Sequence, residues 1–175
     1  KNFLVLAPTG IAAMNVGGQT HHSFFGLPFT AMGSKDWPEV SENKRNVLMK
    51  IDTIIIDEAS MVRCDWVDAI DRFMRSLIKS HLPFGGKQMV FVGDLFQLPP
   101  VVKSGSADDE LLSEIYGNGT PYFYKANVMK RINLPKIEFQ KVYRQNDIDF
   151  LEILDRMRLG ENTISDLDIL NQQVS

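Results

Sequence analysis

The chain has 175 residues, enough for one ordinary domain with a sizeable core, and its 44% hydrophobic and 23% charged residues are normal for a soluble globular protein. A net charge of −3 excludes a general electrostatic affinity for nucleic acid, so any contact with DNA would need a local groove. The single cysteine, Cys64, excludes an intrachain disulfide, and no apolar run approaches the ~20 residues that a membrane helix needs.

These features predict an intracellular protein of a reducing compartment, with no membrane partner. The compartment would be the cytoplasm in a bacterium and the nucleus or a mitochondrion in a eukaryote. Lys1 already lies in an apolar run and no initiator methionine precedes it. We therefore expect the chain to be a piece of a longer protein.

Short strands and helices are predicted to alternate along the first part of the chain. Residues 1–7 form an apolar run that favours a buried strand, and residues 11–16 can begin a helix that two glycines end. A loop follows to about Pro38, and Ser41 can cap a helix that ends near Lys50.

The central strand is predicted at residues 51–56. Its three consecutive isoleucines favour a strand, and no polar residue alternates with them, so both faces should be buried as in a parallel sheet. Asp57 and Glu58 follow directly, and Ser60 is a good helix N-cap. A purely structural interpretation also exists, because acids at the start of the next helix complement its dipole.

The second half of the chain continues the alternation. One-sided helical spacing over residues 61–80 predicts that Trp66, Phe73 and Met74 belong to the core. The other predicted elements are strands at residues 87–92 and 135–143, helices at residues 107–116, 122–131 and 147–159, and a last short helix that begins at Asn162 or Thr163. This order predicts a single parallel α/β domain.

Polar and glycine-rich segments follow the predicted strands and should meet on one rim of the sheet. They supply an acid for a metal, an acid that can activate water, an amide and a guanidinium. Phosphoryl transfer needs this set, because its catalysis is mostly positioning and charge stabilisation. The segments are Pro8-Thr9-Gly10, Asp57-Glu58, residues 93–100 and Tyr143-Arg144-Gln145.

These segments resemble the motifs of superfamily-one helicases, most closely the Pif family of 5′-to-3′ DNA helicases, with RecD-like enzymes next. Asp57-Glu58-Ala59-Ser60 resembles motif II, the Walker B site. His21 stands where the family usually has an aliphatic residue. The other matches are residues 7–13 and 17–26 to motifs Ia and Ib, residues 83–86 with 93–101 to motif III, and residues 142–145 to motif IV.

The resemblance implies an α/β fold: a RecA-like P-loop NTPase domain with a mainly parallel sheet flanked by helices, truncated before the P-loop strand. Residues 1–175 would be part of the first RecA-like domain, called 1A. No G-x-x-x-x-G-K-[ST] sequence occurs in the 175 residues, so we expect the Walker A loop upstream and a second RecA-like domain downstream. The chain alone should then be inactive, and an exposed sheet edge could let two copies form a non-native dimer.

The resemblance also implies ATP and Mg²⁺ as cofactors. Asp57 would hold Mg²⁺, and Glu58 would orient and deprotonate the attacking water. Gln97 would reach the γ-phosphate or that water, and Arg144 would neutralise charge that develops on the γ-phosphate. Structural alternatives stay open, with Gln97 as a loop-stabilising amide and Arg144 in a surface salt bridge.

The implied partner is single-stranded DNA, together with its junctions with duplex. The candidate contacts are groups that donate to phosphates, glycines that let a backbone come close, and rings or prolines that pack against sugars or bases. They are Pro8, Thr9, Gly10, Gly18, Thr20, His22, Phe25, Phe96 and Pro100. The alternative is that Phe25 belongs to the core and His22 only hydrogen-bonds the backbone.

Three functions remain open from the sequence. The first is an ATP-driven motor that moves 5′ to 3′ on single-stranded DNA, the direction coming from the resemblance. The second is a non-catalytic nucleic-acid-binding module that kept the fold. The third is an ATPase that acts on protein partners and that single-stranded DNA does not stimulate.

Overall fold

A computed structural model describes residues 2–141, 143 and 147–172. Four short strands of the described residues form one sheet in the order β2-β1-β3-β4, and every pair is parallel. The strands are Phe3–Ala7 (β1), Gln19–Thr20 (β2), Thr53–Ile56 (β3) and Gln88–Phe91 (β4). The parallel sheet that the isoleucine run predicts is confirmed.

Helices connect and follow these strands. Short 3-10 segments lie at Ala59–Met61, Pro83–Gly86, Phe123–Lys125 and Asn127–Arg131. The α-helices are Gly10–Asn15 (α1), His21–Phe25 (α2), Glu42–Lys50 (α3), Cys64–Ile78 (α4), Ala107–Tyr116 (α5), Ile148–Leu159 (α6) and Ile164–Asn171 (α7). None of the helices in the described part of the chain is long and apolar enough to cross a bilayer.

The backbone divides into two compact units. The first extends to Leu134 and contains the sheet with α1 to α5. The second begins at Pro135 and contains α6 and α7. In the second unit, Gly160 ends α6 in the left-handed conformation and Thr163 begins α7 with a capping box, so both predicted helices are confirmed.

Two predicted elements are wrong. Residues 135–141 and 143 form no strand, and the fourth strand of the sheet is instead β2. The side chains of Ile137 and Phe139 are 82% and 88% exposed, so their alternation does not correspond to a buried face. The predicted helix at residues 122–131 is replaced by two 3-10 segments, because Asp68 accepts hydrogen bonds from the backbone N–H groups at its centre, those of Asn127 and Val128.

Helix α4 packs against the sheet and supplies much of the core of the first unit. Trp66, Phe73 and Met74 are at most 7% exposed, as their spacing predicts, and they belong to the same cluster as Ile54 and Ile56 of β3. Fully burying such a side chain stabilises the fold by about 1.5–3 kcal/mol. Because β3 leads into α4, this packing fixes where the segment between them lies.

Three buried aspartates of α4 hold the surrounding loops. Asp65, Asp68 and Asp71 are spaced by three residues, so they lie along one side of the helix. Asp65 accepts from the backbone N–H of Met32 at 2.8 Å, and Asp71 accepts from that of Phe84 at 2.7 Å. The helix therefore positions both the loop before α3 and the turn before β4.

Candidate nucleotide and nucleic-acid site

The loops that follow β3 and β4 are joined at the carboxyl rim of the sheet. The N–H of Ala59 donates to the carbonyl of Val92 at 2.9 Å. Gly93 lies so close to the first loop that an added Cβ would be 2.8 Å from the Ala59 nitrogen and 3.1 Å from the Ser60 nitrogen. The residue must therefore be glycine for the segment after Glu58 to meet the segment that carries Gln97.

Asp57 and Glu58 stand at the end of β3, both half-buried. The N–H of Asp57 donates to the carbonyl of Leu6 at 2.8 Å, so Asp57 continues the pairing of β3 with β1. Glu58 has φ 50° and ψ 43°, the left-handed conformation that a residue with a Cβ rarely adopts. Such a conformation costs about 1–2 kcal/mol, and strained residues of this kind cluster at functional sites.

The predicted cap at Ser60 is wrong. Ser60 lies inside the 3-10 segment, is 1% exposed, and its Oγ has no hydrogen-bond partner among the described residues. Helix α4 begins later, at Cys64, with Arg63 at the N-cap position. The hydrogen bond from Ala59 to Val92 tightens the chain directly after Glu58, and this delays the helix.

Gln97 is held in a turn that Asp94 organises. The Asp94 carboxylate accepts from the N–H of Phe96 at 3.0 Å and, more weakly, from the Gln97 side-chain amide at 3.4 Å. Gln97 itself is exposed. Sequence reasoning assigned no role to Asp94, although an Asp side chain commonly makes a turn by accepting from the backbone N–H two residues on. Arg144 and Gln145 lie outside the described residues.

The acids of this rim suit a magnesium ion that is shared with phosphates. No group of three or more His, Cys, Asp or Glu side chains among the described residues could hold a metal by itself. Mg²⁺ in phosphoryl-transfer sites is usually bound by one or two carboxylates, with waters and substrate phosphates completing its shell. Asp57 and Glu58 supply carboxylate oxygens of that type at the end of a strand.

Two of the candidate DNA contacts cap short helices. Thr9 accepts from the N–H of Ala12 at 3.2 Å at the start of α1, and Thr20 accepts from the N–H of Ser23 at 3.1 Å at the start of α2. A hydroxyl that accepts in this way still has its proton to donate. Both threonines can therefore hold the loop and bind a phosphate.

His22 has a structural contact that limits its chemistry. Its Nδ1 lies 3.1 Å from the carbonyl of Leu27 and must donate to it. Burial lowers the pKa of His22, so the ring is neutral at pH 7 and its Nε2 bears no proton. The alternative that His22 hydrogen-bonds the backbone is confirmed, and its donation to a phosphate is not supported.

Burial also separates the remaining candidates. Phe25 is fully buried in the core and Pro100 is buried, so neither offers a face to a base; both expectations are wrong. The fold itself requires glycine at position 18, since a Cβ there would be 2.4 Å from the Val5 carbonyl oxygen. Gly10 has open space around it, and the Phe96 side chain is 60% exposed.

His21 was not a candidate, yet it joins two parts of this site. It is fully buried, and its Nδ1 donates to the carbonyl of Ala7 at 3.0 Å, directly before Pro8. Its ring lies 5.1 Å from that of Trp66 on α4. Burial and the neighbouring His22 lower the pKa of His21 to about 3, so it stays neutral. Its departure from the family pattern was the only sequence signal.

A buried ion pair lies beside these rings. Arg63 is 2% exposed and pairs with the fully buried Asp65 at 2.6 Å. The Arg63 guanidinium also lies 4.3 Å from the Trp66 ring and donates to the carbonyl of Phe29 at 2.8 Å. Removing one partner of such a pair would leave a buried charge, at a cost of about 3–5 kcal/mol.

Comparisons with known proteins give one consistent family. The family model described as PIF1-like helicase matches residues 1–167. The ATP-dependent DNA helicase PIF1 of Saccharomyces cerevisiae is 36% identical over 165 residues, which are 91% of this chain and 18% of that protein. The human ATP-dependent DNA helicase PIF1 is 32% identical over 157 residues, or 88% of this chain and 22% of that protein. The chain thus spans about a fifth of the length of these relatives.

Solved structures agree with the sequence comparisons. The Pif1 helicase from Bacteroides in complex with ADP-AlF3 and single-stranded DNA superposes with a TM-score of 0.90 at 45% identity, over 97% of this chain and 39% of that chain. The Pif1 helicase from Candida albicans gives a TM-score of 0.74 at 28% identity, over 94% of this chain and 35% of that chain.

Proposed function

Because the chain belongs to the PIF1-like helicase family, we propose that it is part of the first RecA-like motor domain of an ATP-dependent DNA helicase. The motor couples ATP hydrolysis to 5′-to-3′ movement on single-stranded DNA and to unwinding at duplex junctions. The observation that carries this proposal is the strained, half-buried Glu58 next to Asp57, at the end of a parallel strand and against the loop of Gly93.

The two acids have separate roles in the proposed hydrolysis. Asp57 would hold Mg²⁺ together with the phosphates of ATP, and the ion would supply positive charge that stabilises the transition state. Glu58 accepts a proton from the attacking water, a function worth about 10²–10⁴ in rate. The left-handed backbone of Glu58 turns its side chain out of the strand alternation that β3 would otherwise impose.

Gln97 and Arg144 complete the proposed ATP side. The turn at Asp94 holds Gln97, and Gly93 links this turn to the loop of Glu58, so that the amide can orient the water or the γ-phosphate. Arg144 supplies the guanidinium that stabilises charge on the γ-phosphate, by analogy with the family's motif IV.

The proposed DNA side uses the loops at the ends of β1 and β2. Thr9 and Thr20 donate to phosphates, Gly10 lets the backbone come close, and Pro8 packs against a sugar or base. The exposed ring of Phe96 packs against a base or sugar, a contact worth about 1–3 kcal/mol. We further propose a reducing intracellular compartment, since the single cysteine, Cys64, allows no intrachain disulfide.

The proposal is tested by ATP hydrolysis with and without oligothymidylate. The polypeptide that the complete reading frame encodes should show DNA-stimulated hydrolysis. The 175 residues alone should show none, because they contain no Walker A sequence. DNA binding without nucleotide hydrolysis by the complete polypeptide would favour the non-catalytic module, and hydrolysis that DNA does not stimulate would favour an ATPase for protein partners.

A further inference from the structure

An open cavity of about 510 Å³ lies at the C-terminal end of α4, in the first unit. Its lining combines three cationic side chains with an exposed indole: Arg72, Arg75, Lys79 and Trp37. Among the lining residues none is acidic. A basic surface of this kind is a local exception in a chain whose net charge is −3.

The cations of this cavity are anchored to different degrees. Arg72 donates to the carbonyls of Gly33 and Asp36 at 3.0 and 3.1 Å, which fixes its guanidinium beside the loop that carries Trp37. Arg75 uses its Nε in an ion pair with Asp71 at 2.9 Å, and its side chain remains 30% exposed. One edge of that guanidinium is therefore used inside the fold.

Lys79 is the most adaptable cation of the three. It is exposed, lies at the C-cap of α4 with φ 56°, and lines the cavity. Among the described residues, Asp71, which is 3% exposed, is the one acid that offsets these three positive charges by a direct ion pair. The balance favours an anionic ligand.

Trp37 gives the cavity a flat surface that an anion alone does not need. Its side chain is 53% exposed, whereas Trp66 is 7% exposed in the core. Exposed indoles flanked by cations are the usual arrangement for single-stranded nucleic acid, where a base stacks on the ring and the phosphates follow the basic groove.

The cavity lies far from the proposed ATP and DNA loops. Helix α4 has 15 residues and is therefore about 22 Å long. It connects the end of β3 to the start of β4, so its C-terminal end lies at the opposite rim of the parallel sheet. Arg63 donates to the carbonyl of Thr30 and Arg72 to that of Asp36, so the loop carrying Trp37 runs along the helix between the two rims.

We propose that this cavity is a second contact for single-stranded nucleic acid, with one base stacked on Trp37 and adjacent phosphates bound by Arg72, Arg75 and Lys79. The volume is within the range of pockets for small ligands and suits a single nucleotide unit. The contact uses none of the residues assigned to ATP hydrolysis.

The test measures tryptophan emission of the 175-residue chain while oligothymidylate of about eight nucleotides is added. The exposed Trp37 should be quenched. The variant Trp37→Phe keeps a stacking ring, so it should still bind the oligonucleotide. Its remaining emission comes from Trp66 and should not be quenched. Quenching of the Trp66 emission would place the ligand elsewhere. Trp37→Ala should weaken binding at this site about 5- to 150-fold, measured with a fluorescent oligonucleotide.

A second experiment removes one of the positive charges of the cavity and measures the salt dependence of binding. Lys79→Asn removes one cation and keeps the fold, because asparagine tolerates the left-handed backbone at this C-cap. It should reduce the slope of log affinity against log salt by about 0.7. Lys50→Asn removes an exposed lysine from the end of α3, outside the cavity, and should leave both slope and quenching unchanged.

Three results would overturn the proposal: no quenching of Trp37, equal effects of Lys79→Asn and Lys50→Asn, or stronger quenching by poly-glutamate than by oligothymidylate. The last would assign the cavity to an acidic protein partner. Duplex of the same sequence should quench less than the single strand, because its bases are already stacked. None of these outcomes depends on ATP hydrolysis, so the motor proposal can fail or stand separately.

Discussion

Glu58 combines a proposed catalytic carboxylate with an unfavourable backbone conformation. Its φ of 50° costs about 1–2 kcal/mol for a residue with a Cβ. The hydrogen bond from Ala59 to Val92 and the contact of Gly93 with the same loop hold the strained segment in place. The fold thus sacrifices some stability at this residue.

Glu58→Gly should therefore raise the free energy of unfolding by up to about 1 kcal/mol, because the relieved strain exceeds the added flexibility of the unfolded chain, about 0.5–1 kcal/mol. Urea unfolding of the 175-residue chain measures the change. Glu114→Gly, at an exposed position inside α5, is the matched control and should lower stability by about 1 kcal/mol. A loss of stability in Glu58→Gly would show that the conformation is not strained.

His21 makes stability depend on pH. Its pKa is about 3 in the folded chain, mainly because of burial, and about 6.5 in the unfolded chain. The unfolded state therefore binds more protons between these values, so the stability that is present above pH 6.5 is lost as pH falls toward 3. Burial also lowers the pKa of His22, so His22 adds a loss of folding stability in the same direction as pH falls.

Between pH 7 and pH 5, His21 alone should cost about 2 kcal/mol of unfolding free energy. His21→Leu should remove that part of the drop, leaving the part due to His22. His81→Gln, at an exposed position, should leave the drop intact. Urea unfolding at the two pH values measures this difference in unfolding free energy. If His21→Leu loses as much stability between pH 7 and pH 5 as the unchanged chain, His21 is not the titrating group.

Among the elements, α4 organises the first unit through its carboxylates as much as through its apolar face. Asp68 is 6% exposed and accepts from the N–H groups of Asn127 and Val128, both at 2.9 Å. A buried donor that loses its acceptor costs about 1–3 kcal/mol.

Asp68→Leu should accordingly lower the free energy of unfolding by about 2–6 kcal/mol, since two N–H groups lose their acceptor. Asp68→Asn keeps one oxygen acceptor and should cost less. Chemical denaturation of the three proteins gives the order, and an equal effect of both variants would show that the retained oxygen acceptor of asparagine contributes nothing to stability.

Periodicity and capping residues predicted most of these elements but not their tertiary exceptions. The isoleucine run was sufficient to predict β3, the one-sided spacing was sufficient to predict α4, and Thr163 marked the start of α7. The segment around Asn127 looks helical in sequence, but two of its backbone N–H groups donate to the distant Asp68 instead.

Burial limited the prediction of the site. Phe25 and Phe96 carry the same ring, but Phe25 is fully buried and Phe96 is 60% exposed. No local sequence pattern distinguishes the two. Likewise, the need for glycine at position 93 arises from contact with Ala59, a residue far away in sequence. The motif acids could be found because their spacing is local, directly after β3.

At the scale of the whole first unit, β4 lies at the edge of the sheet. The N–H groups of Gln88 and Val92 point toward β3, so that of Met89 points outward by the alternation of the strand. Three apolar residues of this edge strand, Met89, Val90 and Phe91, are only half-buried. Unpaired edges of this type recruit other strands.

The 175-residue chain should consequently self-associate, and light scattering should give a mass above 19.8 kDa that increases with concentration. Met89→Pro removes an outward N–H and should shift the chain toward the monomer, with circular dichroism as the check on folding. Met89→Leu is the control and should associate like the unchanged chain. A monomer at every concentration would contradict an available edge.

The most direct test of the proposed motor is ATP hydrolysis by Glu58→Gln in the polypeptide that the complete reading frame encodes. Loss of the proposed base should lower DNA-stimulated kcat by about 10²–10⁴ while nucleotide binding is retained, and Glu114→Gln in α5 should hydrolyse ATP normally. A Glu58→Gln protein with an unchanged kcat would remove Glu58 from the chemistry and contradict the proposed mechanism.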